Sequence, residues 1–240
     1  MTITFSSRTA RNGIARRAAV GTLAGLALFA GAATAPAMAA PDVPLPAFTD
    51  GEPGLASALL DAPEASDVLG DTVQQNRTVY RLGNNSAVRP SQCIGAYLAA
   101  QTDAYADTTP VDVAVRRLSG DTTLLTEGVV EMTSKKASIA HLEATADGWS
   151  DCSGLTVSET SQEDGSTNQW ELGAPMVNED RTIVTLSQTL VGGQATCERA
   201  IASYREIFID VLACSGTGDS IGKASAVVEA IANKASAPTI

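Results

Sequence analysis

Histidine occurs once in the 240 residues, as His141, and aromatic residues make up only 4%. One imidazole cannot build a histidine metal centre, and no C-x2-C pair stands in for it, so a zinc site is excluded. Basic side chains are scarce too, with 16 Lys and Arg against 27 Asp and Glu. Nucleic acid and anionic membrane surfaces are therefore poor partners, because both repel an acidic exterior. Asp103, Asp107, Glu163, Asp164, Glu179 and Asp180 lack the order of a calcium loop and read as solvated charge. Gly216 to Lys223 approaches a phosphate loop but has one residue too many between its glycines, and Ala224 where Ser or Thr is required. No cofactor is expected.

What is present begins with an export signal. Arg8, Arg11, Arg16 and Arg17 precede an apolar run from Ala18 to Ala35, and Ala37-Met38-Ala39 has the small-x-small shape of a signal-peptidase site. Residues 1–39 read as a signal peptide. The rival reading, a retained membrane span, fits poorly with an Ala- and Gly-rich run that lacks a charged flank on its far side. No cysteine precedes Cys93, so a lipoprotein is not expected. Beyond residue 39 the chain holds 12 basic and 27 acidic residues, a formal charge of −15. Residues 40–54 contain four prolines and read as a linker, which leaves one domain over 55–240.

The four cysteines all follow the signal, and an even count in an oxidising compartment reads as two disulfides. A two-residue turn at Arg205-Glu206 pairs residues whose numbers sum to 411, a condition that Cys197 and Cys214 meet. Cys93 then pairs with Cys152 by elimination.

Alternation marks strands over Gln75–Leu82, Val111–Leu118, Thr122–Met132, Leu155–Thr160, Asn168–Leu172, Thr182–Leu190 and both arms of the stapled hairpin. Asp61 caps a short helix that Gly70 closes. Thr133 caps a longer one through Asp147, with Ile139, Leu142, Ala146 and Trp149 along one stripe. Asp219 or Ser220 caps the last, Ser220–Lys234. The order predicts an α+β fold, an antiparallel β-sheet with helices packed on one face.

The two faces of the hairpin differ. Ala200, Ala202, Ile207, Ile209, Val211 and Ala213 form an apolar side suited to helices. The other side carries Arg199, Ile201, Ser203, Phe208 and Asp210, the candidate ligand-binding residues. That mixture suits a ligand groove, and equally a solvated sheet face. Arg199 and Asp210 are diagonal neighbours, readable as a structural ion pair or as a ligand clamp.

Gly218-Asp219-Ser220-Ile221-Gly222 matches the G-x-S-x-G of a hydrolase elbow, but no Asp or His follows Ser220, and His141 lies upstream. A serine hydrolase is thus the weaker alternative and no catalytic residue is assigned.

Several local runs carry a family likeness: Cys93-Ile94-Gly95-Ala96, Trp149-Ser150-Asp151-Cys152, Cys197-Glu198-Arg199-Ala200, Ile209-Asp210-Val211 with Cys214, and a closing Ala-rich helix. From about Cys93 to Ala235 the chain resembles the PknH-like extracellular sensor domain family of actinobacteria, especially mycobacteria. The resemblance implies an extracytoplasmic ligand sensor with an open cleft and two disulfides, standing at the end of a transmembrane Ser/Thr kinase or alone as an exported protein. It implies an envelope small molecule, lipid or glycan as ligand. The alternative partner is a protein docked on the hairpin face around Phe208.

Overall fold

Short segments with alternating burial, separated by Gly, Asp and Asn turns, assemble into one antiparallel sheet of ten strands. In chain order these are β1 Gln74–Val79, β2 Val88–Arg89, β3 Asp112–Ser119, β4 Thr123–Glu131, β5 Thr156–Thr160, β6 Thr167–Leu172, β7 Met176–Val177, β8 Ile183–Leu190, β9 Thr196–Tyr204 and β10 Ile207–Ser215. The helices are α1 Ala62–Leu69, α2 Ile94–Tyr97, α3 Lys135–Asp151 and α4 Lys223–Ser236. The computed structural model describes residues 54–160, 165–180 and 182–236; the expected signal peptide 1–39, and the expected linker apart from Gly54, lie outside the described residues.

The strand order is β1-β3-β4-β10-β9-β8-β6-β5-β2, with β7 alongside β8. Cys93 is bonded to Cys152 and Cys197 to Cys214. The α+β antiparallel architecture is therefore the one expected. The centre of the sheet is the β9–β10 hairpin, flanked by β4 and β8.

The helices are shared between both faces rather than gathered on one. α1 and α4 cover the side that carries Ala200, Ala202, Ile207, Ile209 and Val211. α2 and α3 cover the opposite side, over Ile201 and Phe208. The physical reason lies in the central strands, which are apolar at both parities. Leaving Ile201 and Phe208 bare would forfeit about 1.5–3 kcal/mol for each.

Helix ends follow local chemistry. In α1 the Asp61 side chain accepts from the Glu64 N–H while Glu64 reaches back to the Asp61 N–H, and Gly70 closes the helix at φ 65°. α3 is capped by Ser134, one residue later than expected. Its buried face holds Ser138, His141 and Trp149, and Ile139 is turned outward. Polar anchoring sets that rotation: Ser138 donates to the Ile207 carbonyl at 3.0 Å and accepts from Ser203 at 2.7 Å. α4 takes its cap from another strand, the buried Glu198 of β9 accepting from Ala224 and Ser225 N–H groups at 2.8 and 3.2 Å.

Candidate functional site

The hairpin register is the expected one, Cys214 opposite Cys197 and Ile207 opposite Tyr204. Alternation accordingly sends Arg199, Ile201, Phe208 and Asp210 to one face, where all four are at least 95% buried. Half-buried Ser203 is the one that remains in part accessible. The groove expected over these residues is filled by the chain itself.

The filling segment is a strap, residues 94–106, tied down by a buried ion pair. The Arg199 guanidinium lies 2.7 Å from an Asp210 carboxylate oxygen. Arg199 also donates to the Val211 and Gly95 carbonyls and stacks over the Trp149 ring at 5.2 Å. The other Asp210 oxygen accepts from the Ala100 N–H at 2.8 Å and the Tyr105 hydroxyl at 2.9 Å. Gln188 of β8 adds two donations, to the carbonyls of Ala96 and Tyr97. Ala100 adopts φ 53°, a left-handed conformation unusual for alanine, and its amide thereby points at the carboxylate. Arg199 and Asp210 thus act as the structural pair of the two sequence readings.

His141 packs between the Tyr105 and Phe208 rings, at 4.7 and 4.5 Å between centroids. Burial lowers its pKa, with the Asp210 charge acting against that. Burial, then the Asp210 charge and hydrogen bond, hold the Tyr105 phenol well above its usual range. Ser220 is wholly buried and donates to Thr196 at 2.8 Å, which offers a hydrolase no exposed nucleophile. Phe208 is likewise beneath the strap and α3, so a partner protein cannot dock on it directly. Among the described residues no three His, Cys, Asp or Glu side chains converge as metal ligands do.

Two open clefts of about 610 Å³ each flank the strap. The first separates the strap from α3; its walls are mostly Ala, Thr and Met132, with His141 and Trp149 among them. The second lies over the same sheet face at β1, β3 and β4. Val79, Val115, Leu124 and Leu212 give it an apolar floor, and residues 81–87, the strap at 98–101, and Glu159 wall it. Three guanidinium groups line it, those of Arg77, Arg81 and Arg117. None of the three makes an ion pair or side-chain hydrogen bond among the described residues.

Local backbone bonding fixes the second cleft. Gly83 donates to the Ala100 carbonyl at 2.7 Å and accepts from the Thr102 N–H at 2.8 Å, zipping the wall to the strap. A Cβ on Gly83 would come within 2.7 Å of the Gln101 side-chain amide, so a larger residue there would displace that amide. Gln101 is 3% exposed; its amide nitrogen donates to the Ala99 carbonyl, and its carbonyl oxygen has no partner. Glu159 accepts from the Tyr97 hydroxyl at 2.9 Å and from Asn85. Burial, and then that carboxylate, push the Tyr97 phenol upward.

Sequence reading missed all of these cleft residues. The β1 alternation, which places Arg77 and Val79 on one face, was the available signal. No spacing in the sequence joins β1 and β3 to residues 98–101 and 159.

The chain resembles known proteins throughout its described length. Residues 52–234 match the family model described as PknH-like extracellular domain. The Serine/threonine-protein kinases PknH of Mycobacterium bovis and Mycobacterium tuberculosis are each 26% identical over 170 residues, which is 68% of this chain. The chain spans about a quarter of their length, 28% and 26%. The crystal structure of the extracellular domain of PknH from Mycobacterium tuberculosis superposes with a TM-score of 0.69 at 23% identity, covering 75% of this chain and 94% of that one. On the strength of the match over residues 52–234, the chain belongs to the PknH-like extracellular domain family.

Proposed function

We propose that this chain is an exported, non-catalytic sensor-type domain that recognises a small molecule, lipid or glycan of the cell envelope in the cleft over β1, β3 and β4. A signal peptide over residues 1–39 delivers it, a linker over 40–54 follows, and the domain occupies the remainder. The observation that carries the reading is Gln101, whose carbonyl oxygen is buried in the wall of an open 610 Å³ cleft without a partner. A buried acceptor left unpaired costs about 1–3 kcal/mol, and a ligand that donates to it recovers that amount. Arg77, Arg81 and Arg117 line the same cleft, exposed and without an ion-pair contact to another described residue, and so are open to a ligand.

Thermal unfolding of the oxidised protein against aqueous and organic envelope extracts tests this. A ligand that binds only the folded state raises the midpoint. The expected result is a rise with at least one fraction that Leu124→Trp abolishes, because Leu124 is 42% exposed on the cleft floor and a larger ring fills the space. No rise with any fraction overturns the reading.

A further inference from the structure

Resting on that reading, we infer that the β1–β3–β4 cleft selects an anionic polyol, a phosphate or carboxylate flanked by hydroxyl groups. Arg77 and Arg117 stand directly opposite each other on β1 and β3. Like charges directly opposite on one sheet face destabilise the pairing. In a chain of 27 acidic residues a carboxylate between them would be the simplest remedy, yet neither arginine has one. The carboxylate whose charge acts on Arg117 is Glu159, which accepts hydrogen bonds from Tyr97 and Asn85.

The Arg77 charge is felt at Arg117, against the opposing pull of Glu159. Burial, then the Arg77 charge, lower the pKa of Arg117. An anion seated between the two guanidinium groups, within reach of Arg81 in the same cleft, converts the repulsion into charge-assisted hydrogen bonds of fork geometry. The other polar side chains of the cleft, Asn84, Asn85, Gln101, Thr126 and Thr160, carry amide and hydroxyl groups that suit the hydroxyls of a ligand. The unpaired Gln101 oxygen takes a hydrogen bond from a hydroxyl, and the Glu159 charge in the same cleft rejects a second anionic group. A facing pair of guanidinium groups in a cleft otherwise lined by amides and hydroxyls describes a ligand with one acidic group and several hydroxyls. The excess of acid over base elsewhere repels polyanions and charged surfaces, so a small singly acidic molecule fits better than a nucleic acid.

The test is calorimetric titration of the oxidised protein with glucose 1-phosphate, glucuronate, glucose and inorganic phosphate. Sedimentation with phosphatidylglycerol vesicles against pure phosphatidylcholine vesicles runs in parallel. Glucose 1-phosphate or glucuronate should bind more tightly than glucose and than inorganic phosphate. Arg77→Ala and Arg117→Ala should each weaken that binding roughly tenfold or more. Both variants are expected to unfold at the parent's midpoint, and that midpoint, measured beside the titration, separates lost binding from lost structure. Gln101→Leu should remove the preference for glucose 1-phosphate over inorganic phosphate. Binding by phosphatidylglycerol vesicles alone would assign the same chemistry to a lipid headgroup.

Two results overturn the inference. One is binding, by a probe or an extract fraction, that Leu124→Trp blocks and the arginine variants leave unchanged; this leaves ligand recognition standing with a neutral ligand. The other is failure of every anionic probe and both vesicle types, which together with silent extracts removes ligand recognition as well.

Discussion

Three buried side chains show how charge is handled inside this fold, and they differ in outcome. Arg199 and Asp210 pair at 2.7 Å and together hold the strap, which keeps the buried charges tolerated although Arg199 Nε has no hydrogen-bond partner. Removing one partner leaves the other charged and dry. Arg199→Ala is expected to lower stability by about 3–5 kcal/mol in urea unfolding, and a loss under 1 kcal/mol would mean that Asp210 finds water. Glu127 of β4 is the opposite case. It is wholly buried, accepts from the Leu60 N–H, and keeps one oxygen without a partner. Burial pushes its pKa up to about 8, against the pull of the Leu60 hydrogen bond and the Arg116 and Lys234 charges. The folded state therefore binds this proton more tightly than the unfolded one, and stability falls as pH rises from about 4.5 to about 8, at up to roughly 1.4 kcal/mol per pH unit. Glu127→Gln should flatten that slope and raise the unfolding midpoint at pH 8. An unchanged pH profile in the variant would refute the assignment.

At the scale of elements, the strap depends on a missing side chain beneath it. A Cβ on Gly128 of β4 would lie 3.2 Å from the Ala100 methyl and 3.3 Å from the Asp210 carbonyl. Gly128→Ala should lift the strap at about 1–3 kcal/mol, and hydrogen exchange at the Ala100 amide should accelerate while β9 and β10 stay protected. Equal acceleration across the hairpin would mean that the strap and sheet move as one. These dependencies also explain what the sequence made legible. The Cys197–Cys214 hairpin follows from a local count and the two-residue turn, and both lie within 18 consecutive residues. β4 beside β10 does not, because residues 132–206 intervene and no local pattern joins them. The α3 stripe holds at Leu142, Ala146 and Trp149 and fails at Ile139, because hydrophobicity ranks Ile139 above Ser138, whereas Ser138 turns inward to bond Ile207 and Ser203. The candidate groove was misplaced for a related reason: alternation placed Arg199 and Asp210 on a face correctly, yet could not reveal that residues 94–106 cover it.

The described residues form a sheet between two unlike layers. On one face α1 and α4 form a continuous apolar layer joined by the Glu64–Lys234 pair. On the other, α2, the strap and α3 are held by a polar hub and by Cys93–Cys152, with open clefts on either side. The two disulfides therefore have different jobs. Cys197–Cys214 closes a separation of 17 residues inside a hairpin already zipped by nine paired positions. Cys93–Cys152 closes 59 residues and is the covalent tie between the strap and the C-terminal end of α3. Chain entropy assigns them about 3 and about 4 kcal/mol, and the location of the second concentrates its effect on the cleft-bearing layer. Replacing Cys93 and Cys152 by serine should raise hydrogen exchange over residues 91–106 and 149–155 first, with β3, β4, β9 and β10 still protected below the unfolding midpoint. Any ligand of the β1–β3–β4 cleft should then bind more weakly, since the strap at 98–101 is one of its walls. Uniform loss of protection over both layers would show instead that they unfold together, and that the cleft cannot loosen without the sheet.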